Sequence, residues 1–485
     1  MKDIKRIKME KLLIGRKRPI AELEEARASK KPELVALIGR RRVGKTYLVK
    51  QVYAQQIDFE LIGSQHSTMS SQIQNFMLNI GKYFPDFEIQ HKPNSWTEAF
   101  HLLGQALETL GKADKKIIFF DELPWLDTKR SNFVAGLSYF WNNWAVNQHI
   151  VVVISGSAAS WMIKKIINDK GGLHNRVTRR LFLYPFTLAE TEEYCQARQI
   201  NLNRFHLLQI YMVMGGVPMY LEQLKQGFSA IQNIQEICFD PNGYLYDEFE
   251  RLFASLFDNH QQHILVIRAL ASRRNGLTRQ EIIASTKFSN GGMLTDILNE
   301  LEQSGFVSIY NGYGKKVKES VYRLTDFYTH FYLTFIEPLG KYAKLDFKEL
   351  SDLPKWRAWS GYAFENICLT HLEQIRKALG INGIASSISS FVAQPKDGFS
   401  GTQIDLLIDR SDQSINVCEI KFSTDTYEFT KKDVDNMTNK KSVFRHHIKT
   451  NKHLFTTLIS NFGVVNNSNR INYIDQVITQ DDLFT

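Results

Sequence analysis

The most constraining feature of this 485-residue chain is the segment Gly39–Thr46, which reads GRRRVGKT. The apolar run 34–38 before it predicts a buried strand, and residues 46–52 after it predict a helix. G-x-x-x-x-G-K-T between a strand and a helix is the P-loop pattern, in which backbone N–H groups surround a triphosphate. Lys45 would reach the outer phosphates and the Thr46 hydroxyl would bind Mg²⁺. The segment therefore predicts an α/β fold with a parallel sheet that binds ATP or GTP.

The predicted nucleotide contacts cover the whole loop and the first residues of the helix. The N-terminus of that helix would add its partial positive charge to the site. The arginine side chains need not touch phosphate, because the backbone of the loop does so. The nucleotide-binding residues predicted here are Gly39, Arg40, Arg41, Arg42, Val43, Gly44, Lys45, Thr46 and Tyr47.

A second apolar run, residues 116–120, ends in the acidic pair Asp121-Glu122. Asp121 is predicted to be the acid on the Mg²⁺ side, and Glu122 to polarise the attacking water. A second carboxylate at this position favours an ATPase over GTPases of the Ras type, which orient water with a glutamine. The alternative is that the pair only ends a strand and caps the next helix.

A third apolar run, residues 150–154, leads into Ser155-Gly156-Ser157. Ligands of open α/β sheets bind at the carboxyl ends of the strands. Ser157, or else Ser155, is therefore predicted to sense the γ-phosphate. A serine in this position is equally typical of an ordinary turn or helix cap.

Several short motifs in the first half of the chain resemble those of the archaeal-type ATPases of the AAA+/STAND group. The resemblance implies a five-stranded α/β ATPase core, a helical lid and a winged helix, which together act as a nucleotide-driven switch. In such ATPases an arginine after the sensor strand faces the γ-phosphate, in cis or in trans, which nominates Arg176 as a catalytic residue. Residues 176–180 could instead form a solvated or DNA-facing basic surface. The motifs are Gly15-Arg16, Glu22-Leu23, Gly39–Thr46, Phe120–Glu122, Gly156–Ala158, Asn175-Arg176, Pro185-Phe186 and Gly215–Pro218.

The periodicity between His263 and Leu324 resembles that of a winged helix. The third predicted helix carries Asp296, Glu300 and Glu302 and no lysine or arginine, which suits a polyanionic groove poorly. The module could contact DNA through its basic wing or serve only for packing between domains. Its predicted elements are helices 263–270, 277–284 and 292–304, strands 306–310 and 320–324, and the wing 311–318.

A predicted β-hairpin in the last quarter of the chain pairs residues 402–410 with 415–422. Because side chains alternate along a strand, Glu419 and Lys421 project from the same face, and Asp405 can approach both. Two acids and a lysine are suited to metal-assisted hydrolysis of a phosphodiester.

Asp405, Glu419-x-Lys421 and the upstream Glu365 resemble the motifs of the PD-(D/E)XK nuclease superfamily. The resemblance implies a restriction-endonuclease-like α/β domain in which these four residues are catalytic and Asp405 and Glu419 bind the metal. Asp405 follows Ile404, where the motif has proline. The alternatives are a surface hairpin with ordinary charged residues and a nuclease fold that has lost its activity.

The composition limits the remaining choices. Sixty lysines and arginines face 51 aspartates and glutamates, a formal net charge of +9 that favours a polyanionic partner such as DNA. Four scattered cysteines and a charged N-terminus indicate a reduced, cytoplasmic protein, with no signal peptide and no membrane span. A homo-oligomer would allow an arginine to act in trans.

Together these observations predict three domains: a P-loop ATPase domain with the start of the lid (1–225), a helical and winged-helix region (226–345), and a nuclease-like domain (346–485). The predicted function is an ATP-hydrolysing switch, with ATP and Mg²⁺ as cofactors, coupled to a Mg²⁺-dependent DNA nuclease. The alternative is a signalling or partner-binding ATPase whose nuclease-like domain is inactive and serves recognition. A DNA-translocating motor is disfavoured because the sequence has no helicase-like motifs.

Overall fold

The computed structural model describes residues 13–111, 114–315, 319–340, 354–395 and 401–485. The chain divides into two compact units, one ending at Pro185 and the other running from Phe186 to Thr485. No helix among the described residues has the length and apolar character needed to cross a membrane.

The first unit alternates strands and helices. Its strands are β1 (Glu33–Ile38), β2 (Phe59–Ile62), β3 (Lys116–Asp121), β4 (Ile150–Gly156) and β5 (Arg179–Phe182). Its α-helices are Lys17–Ala28, Lys45–Val52, Met69–Tyr83, Trp96–Glu108, Leu123–Leu126, Phe133–Asn143 and Ala159–Met162.

The strands of the first unit form one parallel sheet in the order β2-β3-β4-β1-β5. Every residue of β1, β3 and β4 is buried, as expected for strands that are covered on both faces. Alternate side chains enter two cores, one with the helices Met69–Tyr83 and Trp96–Glu108 and the other with Lys17–Ala28. The predicted parallel sheet is confirmed.

The second unit begins with a run of helices. Its α-helices are Leu188–Ala197, Arg204–Met214, Pro218–Leu221, Ala230–Ile234, Glu248–Leu256, His260–Ala271, Arg279–Thr286, Gly292–Gln303, Phe327–Phe331, Pro354–Thr370, Leu372–Ala378, Lys431–Ile448, Ser468–Tyr473 and Gln480–Leu483. Its strands are β6 (Leu277–Thr278), β7 (Val307–Tyr310), β8 (Val321–Leu324), β9 (Ser386–Ala393), β10 (Thr402–Arg410), β11 (Ser414–Lys421), β12 (His453–Ser460) and β13 (Gln476–Ile478).

Three helices and two strands form close to the positions predicted for the winged helix. The second helix begins at Arg279, because Leu277 and Thr278, predicted to begin it, form β6 instead. The strands β6, β8 and β7 make a small antiparallel sheet. Thr278 and Glu281 form the capping box that their spacing predicts. Residues 316–318 of the predicted wing lie outside the described residues. The chain does not separate into units at residue 225 or 345, so the three-domain division remains a prediction.

A mixed sheet in the order β13-β12-β11-β10-β9 follows in the same unit. The strands β9, β10 and β11 are antiparallel, whereas β11, β12 and β13 are parallel. The helix Pro354–Thr370 shares a core with Leu406 and Cys418, and the helix Lys431–Ile448 shares one with Leu407 and Val417. The predicted hairpin is therefore the centre of a sheet that has a helix on each face.

Candidate nucleotide site and C-terminal pocket

The P-loop connects β1 to the helix Lys45–Val52 through a turn that contains two residues with positive φ. Arg42 has φ 74° and Gly44 has φ 91°. Gly39 is required for a close approach, because a Cβ at this position would lie 2.4 Å from the carbonyl oxygen of Leu183. The loop is therefore held against the end of β5.

A buried arginine from outside the motif also fixes the loop. Arg16 donates hydrogen bonds to the carbonyl oxygen of Val43, at 3.2 Å, and to that of Tyr184. In the sequence, Arg16 belongs only to a motif of the family resemblance, and the pattern of the loop gives no signal for this contact.

The other residues predicted to contact the nucleotide differ in how far their side chains are buried. Arg40 is buried, and the guanidinium of Arg41 lies 5.6 Å from the ring centroid of Trp125. The side chain of Val43 is buried, so only its backbone could reach a phosphate, while Tyr47 is exposed on the helix. Direct nucleotide contacts by these residues remain predictions.

Lys45 lies inside the loop. Its Nζ donates to the carbonyl oxygens of Gly39 at 2.8 Å and Arg40 at 3.2 Å, and lies 3.9 Å from a carboxylate oxygen of Glu122. Burial lowers the pKa of Lys45, and the carboxylates of Glu122 and Asp121 partly oppose this effect. The ammonium group is thus positioned at the loop before any phosphate binds.

Asp121 lies beside Thr46, as the sequence predicts. The Thr46 hydroxyl donates to Asp121 Oδ2 at 2.5 Å, and the Ser155 hydroxyl donates to the other carboxylate oxygen. This follows from the register, in which Phe120 pairs with Ile154, so that Asp121 adjoins Ser155. A hydroxyl and a carboxylate are oxygen ligands of the kind Mg²⁺ prefers, so Thr46 and Asp121 fit the predicted metal.

Glu122 adopts the left-handed conformation, φ 49° and ψ 53°, which is uncommon for a non-glycine residue and clusters at functional sites. Its Oε2 accepts hydrogen bonds from the Ser157 N–H at 2.9 Å and hydroxyl at 2.7 Å. The structure thus brings Ser157 to Glu122, and Ser155 to Asp121.

Arg176 is not brought to this site. The strand β5 runs parallel to β1 with Arg179 opposite Val35, so the residues before Arg179 lie at the amino-terminal edge of the sheet. The P-loop leaves from the opposite edge, after Ile38. Arg176 is exposed and lies away from the P-loop of its own chain. Its contact with a γ-phosphate, in cis or in trans, stays a prediction.

In the second unit, β10 and β11 pair as the predicted hairpin, and the pair nearest the candidate acids is Leu406 with Cys418. Asp405 and Glu419 are the next residues on the two strands. Because the pairing of β10 with β9 is irregular between Ile404 and Leu407, the regular alternation of side chains does not continue through Asp405. The approach of Asp405 to Glu419 therefore stays a prediction.

Two lysines hold the carboxylate of Glu419. Lys421 Nζ lies 2.8 Å from Oε1, and Lys440 Nζ donates to Oε2 at 2.6 Å. Burial would raise the pKa of Glu419, but Lys440 and Lys421 outweigh it and hold the pKa below its usual value. Lys440 comes from the helix Lys431–Ile448, and no motif in the sequence indicates its contact with Glu419.

A cavity of about 440 Å³ opens beside these residues. It combines two of the predicted acids with the buried Lys440, whereas Lys421 is not among its lining residues. The segment before β6 contributes two further side chains. The lining residues are Arg274, Asn275, Glu365, Gly401, Thr402, Gln403, Asp405, Asn436 and Lys440.

Each acid of this pocket already has a partner. Asp405 accepts a hydrogen bond from Gln403 at 2.5 Å, and Glu365 forms an ion pair with the buried Arg323 at 3.1 Å. Burial and the neighbouring Asp405 raise the pKa of Glu365 to about 7, although Arg323 acts in the opposite direction. A carboxyl group with such a pKa in a cleft is a candidate functional group.

The arrangement does not fit the predicted metal ligands as they stand. Among the described residues, no three His, Cys, Asp or Glu side chains form a group that could hold a metal ion. Both oxygens of Glu419 are bonded to lysines, so Asp405 and Glu419 do not present a shared set of free oxygens.

Comparison with known proteins supports the reading of the first site. Residues 13–224 match the family model described as "ATPase domain predominantly from Archaea". An uncharacterized protein of Methanocaldococcus jannaschii is 22% identical over 372 residues, which cover 76% of this chain and 78% of that protein.

Two solved structures match this chain, and the first of them is similar in fold. The Walker-type ATPase of Pyrococcus abyssi superposes with a TM-score of 0.51 at 18% identity, covering 66% of this chain and 96% of that one. The ORC2 protein of Aeropyrum pernix has a TM-score of 0.41 at 13% identity, and the match covers 66% of this chain and 90% of that one. The family match and the geometry of Lys45, Thr46 and Asp121 together show that residues 13–224 are similar to archaeal-type ATPase domains and contain a P-loop.

Proposed function

We propose that the first unit hydrolyses ATP and that the nucleotide state of this site acts as a switch. The observation that carries the proposal is the position of Glu122, adjacent to Asp121, hydrogen-bonded to Ser157 and 3.9 Å from the Lys45 ammonium. A carboxylate held at the phosphate end of a P-loop suits the orientation of an attacking water.

Each residue of the site would have its own role in ATP hydrolysis. Lys45 would exchange its hydrogen bonds to the carbonyls of Gly39 and Arg40 for bonds to phosphate oxygens. Mg²⁺, when held by Thr46 and Asp121, would neutralise charge on the β- and γ-phosphates. Glu122 would orient water in line with the γ-phosphorus and accept its proton, while Ser157 would keep the carboxylate aimed.

The test compares binding of a fluorescent ATP analogue with phosphate release. Lys45→Ala should weaken binding about tenfold or more, because it removes charge-assisted hydrogen bonds. Glu122→Gln should keep binding and lower the hydrolysis rate by about 10²–10⁴. Lys50→Ala, on the same helix but paired with Glu60, is the matched control. Hydrolysis at the wild-type rate by Glu122→Gln would contradict the proposal.

For the C-terminal pocket, we propose that it binds DNA and that recognition is its function. The observation that favours recognition over cleavage is that Lys421 and Lys440 occupy both oxygens of Glu419. The Mg²⁺-dependent nuclease predicted from Glu365, Asp405, Glu419 and Lys421 would require Glu419 to be released.

A cleavage assay separates the two functions. Labelled DNA is incubated with Mg²⁺ or Mn²⁺, with and without ATP, and with wild type, Lys45→Ala and Lys421→Ala. Binding without cleavage is the expected result. Cleavage that Lys421→Ala abolishes would establish the nuclease instead, and dependence on Lys45 would show coupling to ATP.

A further inference from the structure

The lysine that lines the C-terminal pocket is Lys440, although the sequence motif points to Lys421. Both lysines bind the carboxylate of Glu419, at 2.6 Å and 2.8 Å. Lys440 lines the same cavity as Asp405 and Glu365. Lys421 lies instead near Tyr427, with its ammonium 5.9 Å from the ring centroid.

Lys440 retains hydrogen-bonding capacity in the cavity. An ammonium group has three N–H donors, and among the described residues Lys440 uses one, to Glu419 Oε2. The side chain is only 10% exposed, so its charge acts in a poorly screened environment. A phosphate oxygen in the cavity would accept the remaining N–H groups.

A second cation of the cavity comes from the winged-helix region. Arg274, in the segment before β6, lines the pocket and donates to the carbonyl oxygen of Ala358. The adjacent Asn275 exchanges two hydrogen bonds with Gln403, at 2.6 Å and 2.8 Å. This segment is thus fixed to β10 as part of the pocket wall.

The surroundings favour a polyanion over a single small anion. The helix Lys431–Ile448, which carries Lys440, has five lysines and arginines and two aspartates. Its exposed basic residues Lys431, Lys432 and Arg445 could follow a nucleic-acid backbone beyond the pocket.

We propose that Lys440 and Arg274 bind the phosphodiester backbone of DNA in this pocket, and that Lys421 only positions Glu419. The proposal rests on the DNA-binding part of the proposed function. It makes the site a composite of the winged-helix region and the mixed sheet, and it assigns substrate contact to a lysine outside the E-x-K motif.

The test measures binding of a fluorescently labelled single-stranded DNA by anisotropy, over a NaCl series and in EDTA. Lys440→Met and Arg274→Met should each weaken binding about tenfold. Each should also reduce the slope of log K against log[salt] by about 0.7, the value for one phosphate contact.

Two controls make the test specific. Lys421→Met removes the other lysine from the same carboxylate. Arg273→Met removes a neighbouring arginine that is exposed and is not among the residues that line the pocket. Both should keep the wild-type slope. Thermal melting of every variant checks that it is folded, and Lys440→Arg should restore most of the affinity.

The possible failures are distinguishable. Equal losses in Lys421→Met and Lys440→Met would overturn the assignment, because the effect would then pass through Glu419. No binding by the wild type would overturn it together with the DNA-binding function. The ATPase half of the proposed function is measured separately, with Lys45→Ala.

Discussion

The nucleotide site of the first unit and the pocket of the second differ in how their residues are assembled. The nucleotide site uses residues at the carboxyl ends of adjacent parallel strands, and one contiguous loop supplies most of it. The pocket takes Arg274, Glu365, Asp405 and Lys440 from segments that are far apart in sequence. The arrangement of the first site is therefore set largely by backbone geometry. The arrangement of the second is set by opposite charges that pair with each other where their side chains are buried.

The largest effect is expected from the loss of the buried charge that pairs with Glu365 of the pocket. Arg323→Met leaves Glu365 without its ion-pair partner and should lower the free energy of unfolding by about 3 kcal/mol or more. Urea denaturation measures this change. The double variant Arg323→Met/Glu365→Leu should recover much of the lost stability. If it were no more stable than Arg323→Met, the loss would not come from leaving Glu365 without its ion-pair partner.

The next effect is a pH dependence in the same pocket. The folded-state pKa of Glu365 is raised to about 7, above its ordinary value of 4.5, so the folded state binds the proton more tightly. The resulting stabilisation is full below about pH 4.5 and is lost as the pH rises towards 7.

The stability of Glu365→Gln relative to wild type should therefore increase between pH 5 and 8, by about 2 to 3 kcal/mol. Urea unfolding at a series of pH values measures the difference. A difference that does not change with pH would show that Glu365 titrates normally.

For the nucleotide site, we expect a smaller effect from the addition of one methyl group at Gly39. Gly39→Ala would bring a Cβ to 2.4 Å from the Leu183 carbonyl oxygen, a backbone atom that cannot move aside as the end of a flexible side chain could. We expect a cost of about 1 to 3 kcal/mol and weaker binding of the ATP analogue. Gly81→Ala, in a helix with no atom within 4 Å of the added Cβ, should leave ATP binding unchanged. If the two variants were equally stable and bound the ATP analogue equally well, the close approach of Gly39 to Leu183 would not be the reason that a glycine is needed.

The smallest effect is expected at Arg176. Because this residue lies at the opposite edge of the sheet from the P-loop, Arg176→Ala should leave the ATPase rate of dilute protein within about twofold of wild type. A phosphate-release assay over a range of protein concentrations provides the measurement. A defect that grows with protein concentration would indicate a role in trans. A defect that does not depend on concentration would show that Arg176 acts on the nucleotide of its own chain.

The sequence by itself determined the nucleotide site and its sheet. A P-loop has a fixed spacing, buried parallel strands are continuous apolar runs, and ligands collect at their carboxyl ends, so Lys45, Thr46, Asp121 and Glu122 could be located without coordinates. The hairpin that holds Asp405 and Glu419 was accessible for the same reason, since strand alternation and a turn are local signals.

Only the tertiary structure decided which charges meet. The bonds from Lys440 to Glu419, Arg323 to Glu365 and Arg16 to the P-loop join residues 21 or more positions apart, and no local pattern encodes them. The same holds for Arg176, whose separation from the P-loop follows from the path of the chain back to the start of β5. Periodicity reports which face of an element is buried, whereas the partner of a buried charge depends on how the elements pack.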